Sequence, residues 1–169
     1  MATWVEFRTE APGVAAVAER RLTATGLAMI GTLRRDGFPR ISPVEPLVSG
    51  DELVLYEDRP VFGMMWRSTK ALDLQRDPRF ALHTATADKN VGDGDAKAWG
   101  TVVEVTAPDE IEYMADLIEK YVGFRFEPGT FHAFLPDLLG ASAVRVEGDA
   151  MIVETWKPGE GVTRVEKRN

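Results

Sequence analysis

The sequence predicts a mainly β protein with added helices, in which about six short strands form an antiparallel β-barrel. Short apolar or alternating runs recur along the chain and are bounded by turns rich in glycine, aspartate and proline. Most of these turns are short, which favours antiparallel pairing of the runs that they join. Three segments with helical features lie between the runs, so helices are expected beside the barrel.

The first quarter of the chain is predicted to be a helix followed by a strand. In "TEAPGVAAVAERRLTATG", Thr9 caps the helix start, Pro12 lies near that start and Gly26 ends the helix. The apolar run 27–33 is a predicted strand, and "RRDG" then turns the chain. The following "FPRISPVEPLVSG" is predicted to be extended, because a residue before proline avoids the α region, and its prolines favour an edge or a bulge.

The middle of the chain is predicted to contain two strands and one short helix. Residues 51–58 alternate in polarity and are expected to pair back through the "SGDE" turn. The apolar segment "RPVFGMMWR" follows with its form left open, and it could belong either to a pocket wall or to the core. A short helix is predicted over 69–76, a strand over 79–85 and a polar, glycine-rich loop over 86–95.

The last part of the chain is predicted to hold a strand over 96–106, a helix over 108–122 and a terminal hairpin in "ASAVRVEGDAMIVETW". Thr106 and Asp109 resemble a capping box for the helix, and Gly123 ends it. We expect "EPGTFHAFLPDLL" to be a loop with a helical turn, and the tail "KPGEGVTRVEKRN" to be polar and exposed. The apolar stripe of the helix consists of Ile111, Met114, Ala115, Ile118 and Val122.

Length and composition restrict the classes of function. A chain of 169 residues that is 44% hydrophobic suggests one globular domain over residues 1–169. The absence of cysteine excludes disulfides, thiol catalysis and thiolate metal sites. A net charge of −7 disfavours a nucleic-acid partner. The N-terminus lacks the features of a signal peptide and no apolar run approaches about 20 residues, so we expect a cytoplasmic protein with no membrane contact.

No group of residues has the spacing of a familiar catalytic or metal site. The two histidines, His83 and His132, lack ligand spacing, and His83 is expected to be a half-buried polar residue within a strand. The acidic loop 86–95 lacks the register and final glutamate of a calcium loop, and no G-x-S-x-G elbow occurs. We therefore predict no metal ion and no catalytic residue from the protein, so that a cofactor would supply the chemistry.

Two hydroxyls and a lysine, at Ser68, Thr69 and Lys70, mark the start of the short helix. The free N–H groups of a helix start and the positive end of its dipole attract anions, and a lysine adds a mobile charge. The alternative is that Ser68 caps the helix and Lys70 is solvated. These residues by themselves leave both interpretations open.

The runs "GLAMIGTLRRDGFPRISPVEPLVSGDELVLYED" and "RSTKALDLQRDPRFALHTAT" resemble the pyridoxamine 5′-phosphate oxidase-like split barrels. The resemblance covers residues 26–86 and depends on the order of "DG", "PRISPV", "STK" and "DPR". That group binds FMN or, in actinobacterial branches, the deazaflavin F420. The resemblance implies a six-stranded antiparallel split β-barrel and a homodimer with its cofactors at the subunit interface.

The resemblance also assigns roles to individual residues. Thr69 and Lys70 would hold the cofactor phosphate with Ser68 beside them, and Arg40 would contact the phosphate or the ribityl chain. The flavin ring would lie against Ser42 and Val44. Weaker candidates for cofactor contact are Tyr56, Lys97 and Trp156.

Two departures from the family pattern affect the expected activity. The Arg-x-His segment that grips the substrate in true pyridoxamine phosphate oxidases is missing from the C-terminus, which argues against that reaction. The family's "SRK" is "STK" here, so the phosphate would have one guanidinium fewer. We expect an FMN-dependent oxidoreductase that exchanges hydride with a small planar substrate. The alternatives are an F420-dependent reductase, for which Arg34, Arg35 and Arg40 could form a basic groove, and a non-catalytic flavin- or haem-binding protein.

Overall fold

A computed structural model describes residues 1–168 of the chain. This part of the chain folds into helices α1 to α4 and strands β1 to β12. The helices are α1 (Trp4–Glu10), α2 (Pro12–Thr25), α3 (Thr69–Arg76) and α4 (Pro108–Val122). The strands are β1 (Ala28–Leu33), β2 (Pro39–Pro46), β3 (Val48–Ser49), β4 (Glu52–Leu53), β5 (Leu55–Tyr56), β6 (Arg59–Pro60), β7 (Phe62–Met65), β8 (Arg79–Thr84), β9 (Asp95–Glu104), β10 (Phe131–Glu147), β11 (Ala150–Lys157) and β12 (Gly161–Arg168).

Six of the strands close into an antiparallel ring. Strand β1 pairs with β2 and β8, β8 pairs with β9, and β9 pairs with β10. Strand β7 then joins β10 to β2 and completes the ring. Strands β11 and β12 extend the sheet outward from β10, and two small hairpins, β3–β4 and β5–β6, lie outside it. The predicted six-stranded split β-barrel is therefore confirmed.

Strand β2 pairs with its two neighbours over different residues. It pairs with β1 along its length up to Val44, whereas β7 contacts only Glu45 and Pro46. Within residues 1–168, the rest of β2 is an edge on the side away from β1. This agrees with the prediction that the prolines of this segment favour an edge.

The N-terminal helical region differs from its prediction. Its helix is confirmed as α2, with Pro12 in its first turn and Gly26 as a left-handed C-cap at φ 62°. Thr9 does not cap it, because Thr9 lies inside the preceding α1 and its hydroxyl donates to the Val5 carbonyl at 2.8 Å. That first helix, which was not predicted, begins with a capping box in which Thr3 and Glu6 bond reciprocally.

Helix α4 has the predicted bounds but a different start. Ala107 occupies the N-cap position and Pro108 the first turn, so the predicted capping box of Thr106 and Asp109 is wrong. Gly123 ends the helix in the left-handed conformation. Within the predicted apolar stripe, Met114, Ala115 and Ile118 are buried, Ile111 is half-buried and Val122 is exposed.

The largest difference between the sequence prediction and the structure is at strand β10. The segment "EPGTFHAFLPDLL" was expected to be a loop, but from Phe131 onward it is the start of a 17-residue strand that pairs with β7, β9 and β11. A bulge between Leu138 and Gly140 bends this strand as it changes partners. The tail is exposed as predicted, but it forms the unpredicted strand β12. The predicted strand 51–58 is divided into β4 and β5.

The apolar interior has two parts. The larger cluster joins α1, α2 and α3 to the ring and includes Phe7, Phe62, Leu74 and Trp156. The smaller cluster lies under α4 and includes Met114, Ile118 and Phe131. Neither α4 nor any other helix within residues 1–168 combines the length and the apolar character that crossing a membrane requires.

Candidate functional site

The Ser68–Thr69–Lys70 segment starts helix α3, whose predicted bounds of 69–76 are confirmed. Ser68 occupies the N-cap position, but its hydroxyl caps nothing. The Oγ atom of Ser68 is buried and has no hydrogen-bond partner among residues 1–168. A buried hydroxyl without a partner is costly, so this atom marks a place where an additional polar group would be stabilised. The simple capping interpretation of Ser68 therefore does not hold.

Lys70 is half-buried, and its ammonium group donates a hydrogen bond to the backbone carbonyl of Pro43 on β2. Burial lowers the pKa of Lys70 below its ordinary value, while the negative charge of Glu45 partly opposes this effect. Among the described residues, Lys70 forms no salt bridge. Its charge is therefore held at the junction of α3 and β2 without a direct anionic partner.

Arg40 lies on β2 and is oriented by Asp73 of α3. Its Nε donates to Oδ2 of Asp73 at 2.7 Å, and Asp73 also accepts from Thr32 Oγ1 at 3.0 Å and from Arg76 Nη2 at 3.0 Å. Burial alone would raise the pKa of Asp73, but these three hydrogen bonds together hold it below its ordinary value. The pair uses only the Nε of Arg40, which leaves the terminal nitrogens available for an anion.

The other two β2 candidates differ in accessibility. Arg40, Ser42 and Val44 lie on the same face of β2 because side chains alternate along a strand. Ser42 is half-buried, whereas Val44 is only 1% exposed and belongs to the larger core cluster. The accessible β2 residues beside Lys70 are instead Pro43 and Glu45.

The three weaker candidates are spread over different parts of the fold. The hydroxyl of Tyr56 donates to Glu110 on α4 at 2.9 Å, and this bond raises the pKa of Tyr56. Trp156 is fully buried, and its indole N–H donates to Glu10 at 3.0 Å. Lys97 is exposed on β9, in register with His83. No described contact brings these three residues to the start of α3.

A cavity of about 400 Å³ opens beside this region, between the β2–β7 junction and α4. Its lining is almost entirely apolar, and Glu45 is its one carboxylate. The sequence left open whether the "RPVFGMMWR" segment forms a pocket wall or core, and the other walls come from segments far apart in the chain. The wall residues include Pro46, Val61, Gly63, Met64, Met65, Ile118, Tyr121 and Phe131. Part of this wall is the "RPVFGMMWR" segment, whose apolar character was the only signal in the sequence.

No protein-family model matches the chain, and no curated protein matches it. Solved structures do match it. A pyridoxamine 5′-phosphate oxidase-related, FMN-binding protein from Nostoc punctiforme superposes with a TM-score of 0.63 at 12% identity, covering 94% of this chain and 96% of that chain. The chain has the fold of the pyridoxamine 5′-phosphate oxidase-like split barrels.

Two further structures of proteins with different ligands share this fold. PhzG from Burkholderia lata, in complex with tetrahydrophenazine-1-carboxylic acid, has a TM-score of 0.61 at 11% identity and covers 100% of this chain and 94% of its own. A heme binding protein from Mycobacterium smegmatis has a TM-score of 0.58 at 16% identity, covering 84% of this chain and 57% of that one. Identities this low show a common fold and no more.

Proposed function

We propose that the chain is an FMN-dependent oxidoreductase whose cofactor phosphate is held at the start of α3. The observation that carries this proposal is that the start of α3 holds a hydroxyl without a hydrogen-bond partner and an ammonium without an anionic partner. There, Ser68 Oγ is buried without a partner among residues 1–168, and the Lys70 ammonium contacts a neutral carbonyl instead of an anion. A phosphate oxygen would satisfy both groups, with the first N–H groups of the eight-residue helix α3 adding further donors.

The residues around this segment fit the rest of such a cofactor. Arg40 is fixed by Asp73 and keeps its terminal nitrogens for the phosphate or the ribityl hydroxyls. Half-buried Ser42 and the backbone carbonyls at the edge of β2 offer polar groups to a flavin ring. The bound flavin would supply the hydride exchange. In this proposal the chain itself binds, orients and excludes water, and no acid–base group is required from it.

The cavity beside α4 is the proposed place of the substrate. Its volume of about 400 Å³ and its apolar lining suit a small planar molecule. Glu45 lines the cavity, and its negative charge also acts on Lys70. It is therefore the one charged group of the lining that could orient a substrate there.

The rival cofactors have weaker support from this chain. F420 would need a basic groove for its acidic tail, but Arg34, one of the three arginines that could form it, already pairs with Asp36 at 3.3 Å. Haem would need an accessible axial ligand. His132 is buried with both ring nitrogens in hydrogen bonds, and the Nδ1 of His83 lies 2.7 Å from the Thr84 carbonyl oxygen.

We also propose that the functional unit is a homodimer with the cofactor between subunits. The open edge of β2, the last residue of β7 and the turn after it carry exposed apolar side chains, namely Ile41, Met65 and Trp66, of which Ile41 and Met65 are each 73% exposed. An exposed apolar surface of this kind is typical of an interface. The turn that carries Trp66 leads directly into α3 and Lys70, so a second subunit seated there would close the cofactor site.

Titration of the purified protein with FMN, riboflavin and F420 tests the cofactor proposal. We expect FMN to bind more tightly than riboflavin, because only FMN carries the phosphate, and to bind more tightly than F420. Equal affinity for FMN and riboflavin would contradict the phosphate site, and a preference for F420 would replace FMN with its rival. A Soret band in the purified protein would instead support haem.

A further inference from the structure

His132 is a buried histidine that the proposed cofactor chemistry does not use. It lies on β10, is 3% exposed, and stacks on the indole of Trp66 with ring centroids 4.5 Å apart and planes 8° apart. The Trp66–Arg67 turn that it contacts joins β7 to α3. His132 therefore connects the barrel wall to the segment that leads into the proposed phosphate site.

The hydrogen bonds of His132 define its protonation state. The backbone N–H of Arg67 donates to Nε2 at 3.2 Å, so Nε2 carries no proton. The other ring nitrogen, Nδ1, lies 2.6 Å from Oε1 of Glu104 and must donate to that carboxylate. The ring is therefore neutral, with its proton on Nδ1.

The bond from Arg67 holds an unusual backbone conformation. Arg67 has φ 53°, in the left-handed region that non-glycine residues rarely occupy. The turn is completed by a bond from Ser68 N–H to the Met65 carbonyl at 3.0 Å. The direction in which the chain enters α3, and with it the position of the Ser68 hydroxyl, depends on this turn.

Glu104 extends the contact to the other end of the helix. Its two carboxylate oxygens accept from the side-chain amide of Gln75 at 3.1 and 3.0 Å, and Gln75 lies in the last turn of α3. His132 and Glu104 thus hold the turn before α3 and the final turn of α3 at once. The start of the helix cannot shift along the barrel without breaking this pair of contacts.

We propose that His132 and Glu104 are positioning residues that fix α3 for phosphate binding. His132 offers Nε2 as the acceptor for the Arg67 N–H, and Glu104 joins the ring to the last turn of α3 through Gln75.

The positioning role rests on the proposed function, but its structural half has a test that needs no cofactor. Nitrogen NMR of the histidine rings at neutral pH should show His132 as the neutral Nδ1–H tautomer. Hydrogen exchange at the Arg67 and Ser68 amides should be slow in the wild type and faster in His132→Leu. A neutral Nε2–H tautomer at His132, or unchanged exchange in the variant, would overturn the proposal even if FMN binds.

The functional half is tested by the ratio of FMN to riboflavin affinity in variants of His132. His132→Gln keeps an uncharged acceptor for Arg67 and should hold the wild-type affinity for FMN at neutral pH. His132→Leu should weaken FMN binding about five- to tenfold and riboflavin binding much less, in line with the loss of one hydrogen bond. Thermal melting identifies a variant that fails to fold, and His83→Gln is the matched control because His83 is the only other histidine.

Rescue by His132→Gln separates positioning from simple structural support, because glutamine restores only the acceptor for Arg67. A loss of FMN affinity in His132→Gln as large as that in His132→Leu would overturn the positioning role. If FMN and riboflavin bind the wild type equally, the proposed function fails, whereas the NMR and exchange results still decide whether the histidine holds the turn.

Discussion

The ammonium group of Lys70 donates a hydrogen bond to the carbonyl of Pro43, and this contact joins the first turn of α3 to the open edge of β2. A backbone carbonyl carries only a partial charge, so the contact gives the ammonium a hydrogen-bond partner but does not neutralise its charge. An incoming phosphate would compete with this carbonyl on favourable terms. When the Lys70 ammonium turns from the Pro43 carbonyl to the phosphate, it would leave the β2 edge free for a flavin ring.

The first prediction concerns alkaline pH. Only the charged form of Lys70 attracts phosphate, and burial lowers the pKa of Lys70 below 10.5. FMN affinity should therefore fall as pH rises through that lowered pKa, at a pH where an ordinary lysine is still charged. Lys70→Arg should remove the fall, since arginine stays charged to about pH 12 or above.

Riboflavin titrated over the same pH range is the control for this effect, because ionisation of the flavin ring affects both ligands equally. A fall of equal size for riboflavin would show that Lys70 is not responsible.

The second prediction concerns Asp73, the buried acceptor that holds Arg40 and Arg76. Asp73→Asn removes the charge from a carboxylate with three hydrogen bonds and should cost about 2–3 kcal/mol of unfolding free energy. It should also weaken FMN binding, because Arg40 loses its orientation. Urea unfolding and FMN titration measure the two effects.

The exposed pair of Asp36 and Arg34 provides a matched control, with side chains 54% and 48% exposed. Asp36→Asn should change stability by less than about 1 kcal/mol, as expected for a surface ion pair. Equal losses of unfolding free energy for the two substitutions would show that the Asp73 network stabilises the fold no more than a surface ion pair does.

The third prediction concerns the bulge in β10. A Cβ atom at Gly140 would lie 2.3 Å from the Trp99 ring, closer than real contacts allow. Gly140→Ala should therefore destabilise the fold by about 1–3 kcal/mol, the usual cost of overpacking. A Cβ atom at Gly13 in α2 would meet no atom within 4 Å, so Gly13→Ala should cost nothing. Similar thermal melting of the two variants would refute the close approach at Gly140.

The fourth prediction concerns the proposed dimer. Sedimentation at micromolar concentration should give about 37 kDa, twice the 18.7 kDa of one chain. Ile41→Lys places a charge on the exposed edge of β2 and should shift the protein to monomers with weaker FMN binding. Tyr113→Lys on α4, where the side chain is 50% exposed, should leave the dimer intact. A wild-type monomer that binds FMN tightly would exclude a site shared between subunits.

The helices show where local sequence signals are sufficient. The bounds of α3 and α4 were predicted correctly, because Asp77-Pro78 and Gly123 are strong local stop signals. Helix α1 was missed although its capping box is visible in the sequence at Thr3 and Glu6. That error came from the assignment of Thr9, a residue inside α1, as the cap of the helix that follows.

Strand β10 shows where local signals fail. Residues 131–136 are buried without interruption, so they have no polar alternation to indicate a strand, and Pro136 argues against one. The strand is stabilised by partners distant in the chain, namely β7 and β9. Such pairing is a tertiary effect that no short window of sequence contains.

In the candidate site, too, some residues could be located from local sequence and others could not. Ser68, Thr69 and Lys70 lie at the helix start where their order in the sequence placed them. The burial of Val44 and Trp156 could not be predicted, because each is enclosed by elements far away in the chain. The roles proposed for Glu45 and His132 could not be predicted for the same reason, since they depend on the charge of Glu45 near Lys70 and on the contact of His132 with Glu104.

The most direct test of the account is the affinity of Lys70→Ala for FMN compared with riboflavin. Loss of a charge-assisted contact worth about 1.5–3 kcal/mol should weaken FMN binding roughly ten- to a hundredfold, and riboflavin binding much less. Lys89→Ala, which removes an exposed loop lysine, should bind both ligands as the wild type does. Equal FMN affinity for Lys70→Ala and the wild type would contradict the central claim, because the start of α3 would then be only a helix terminus.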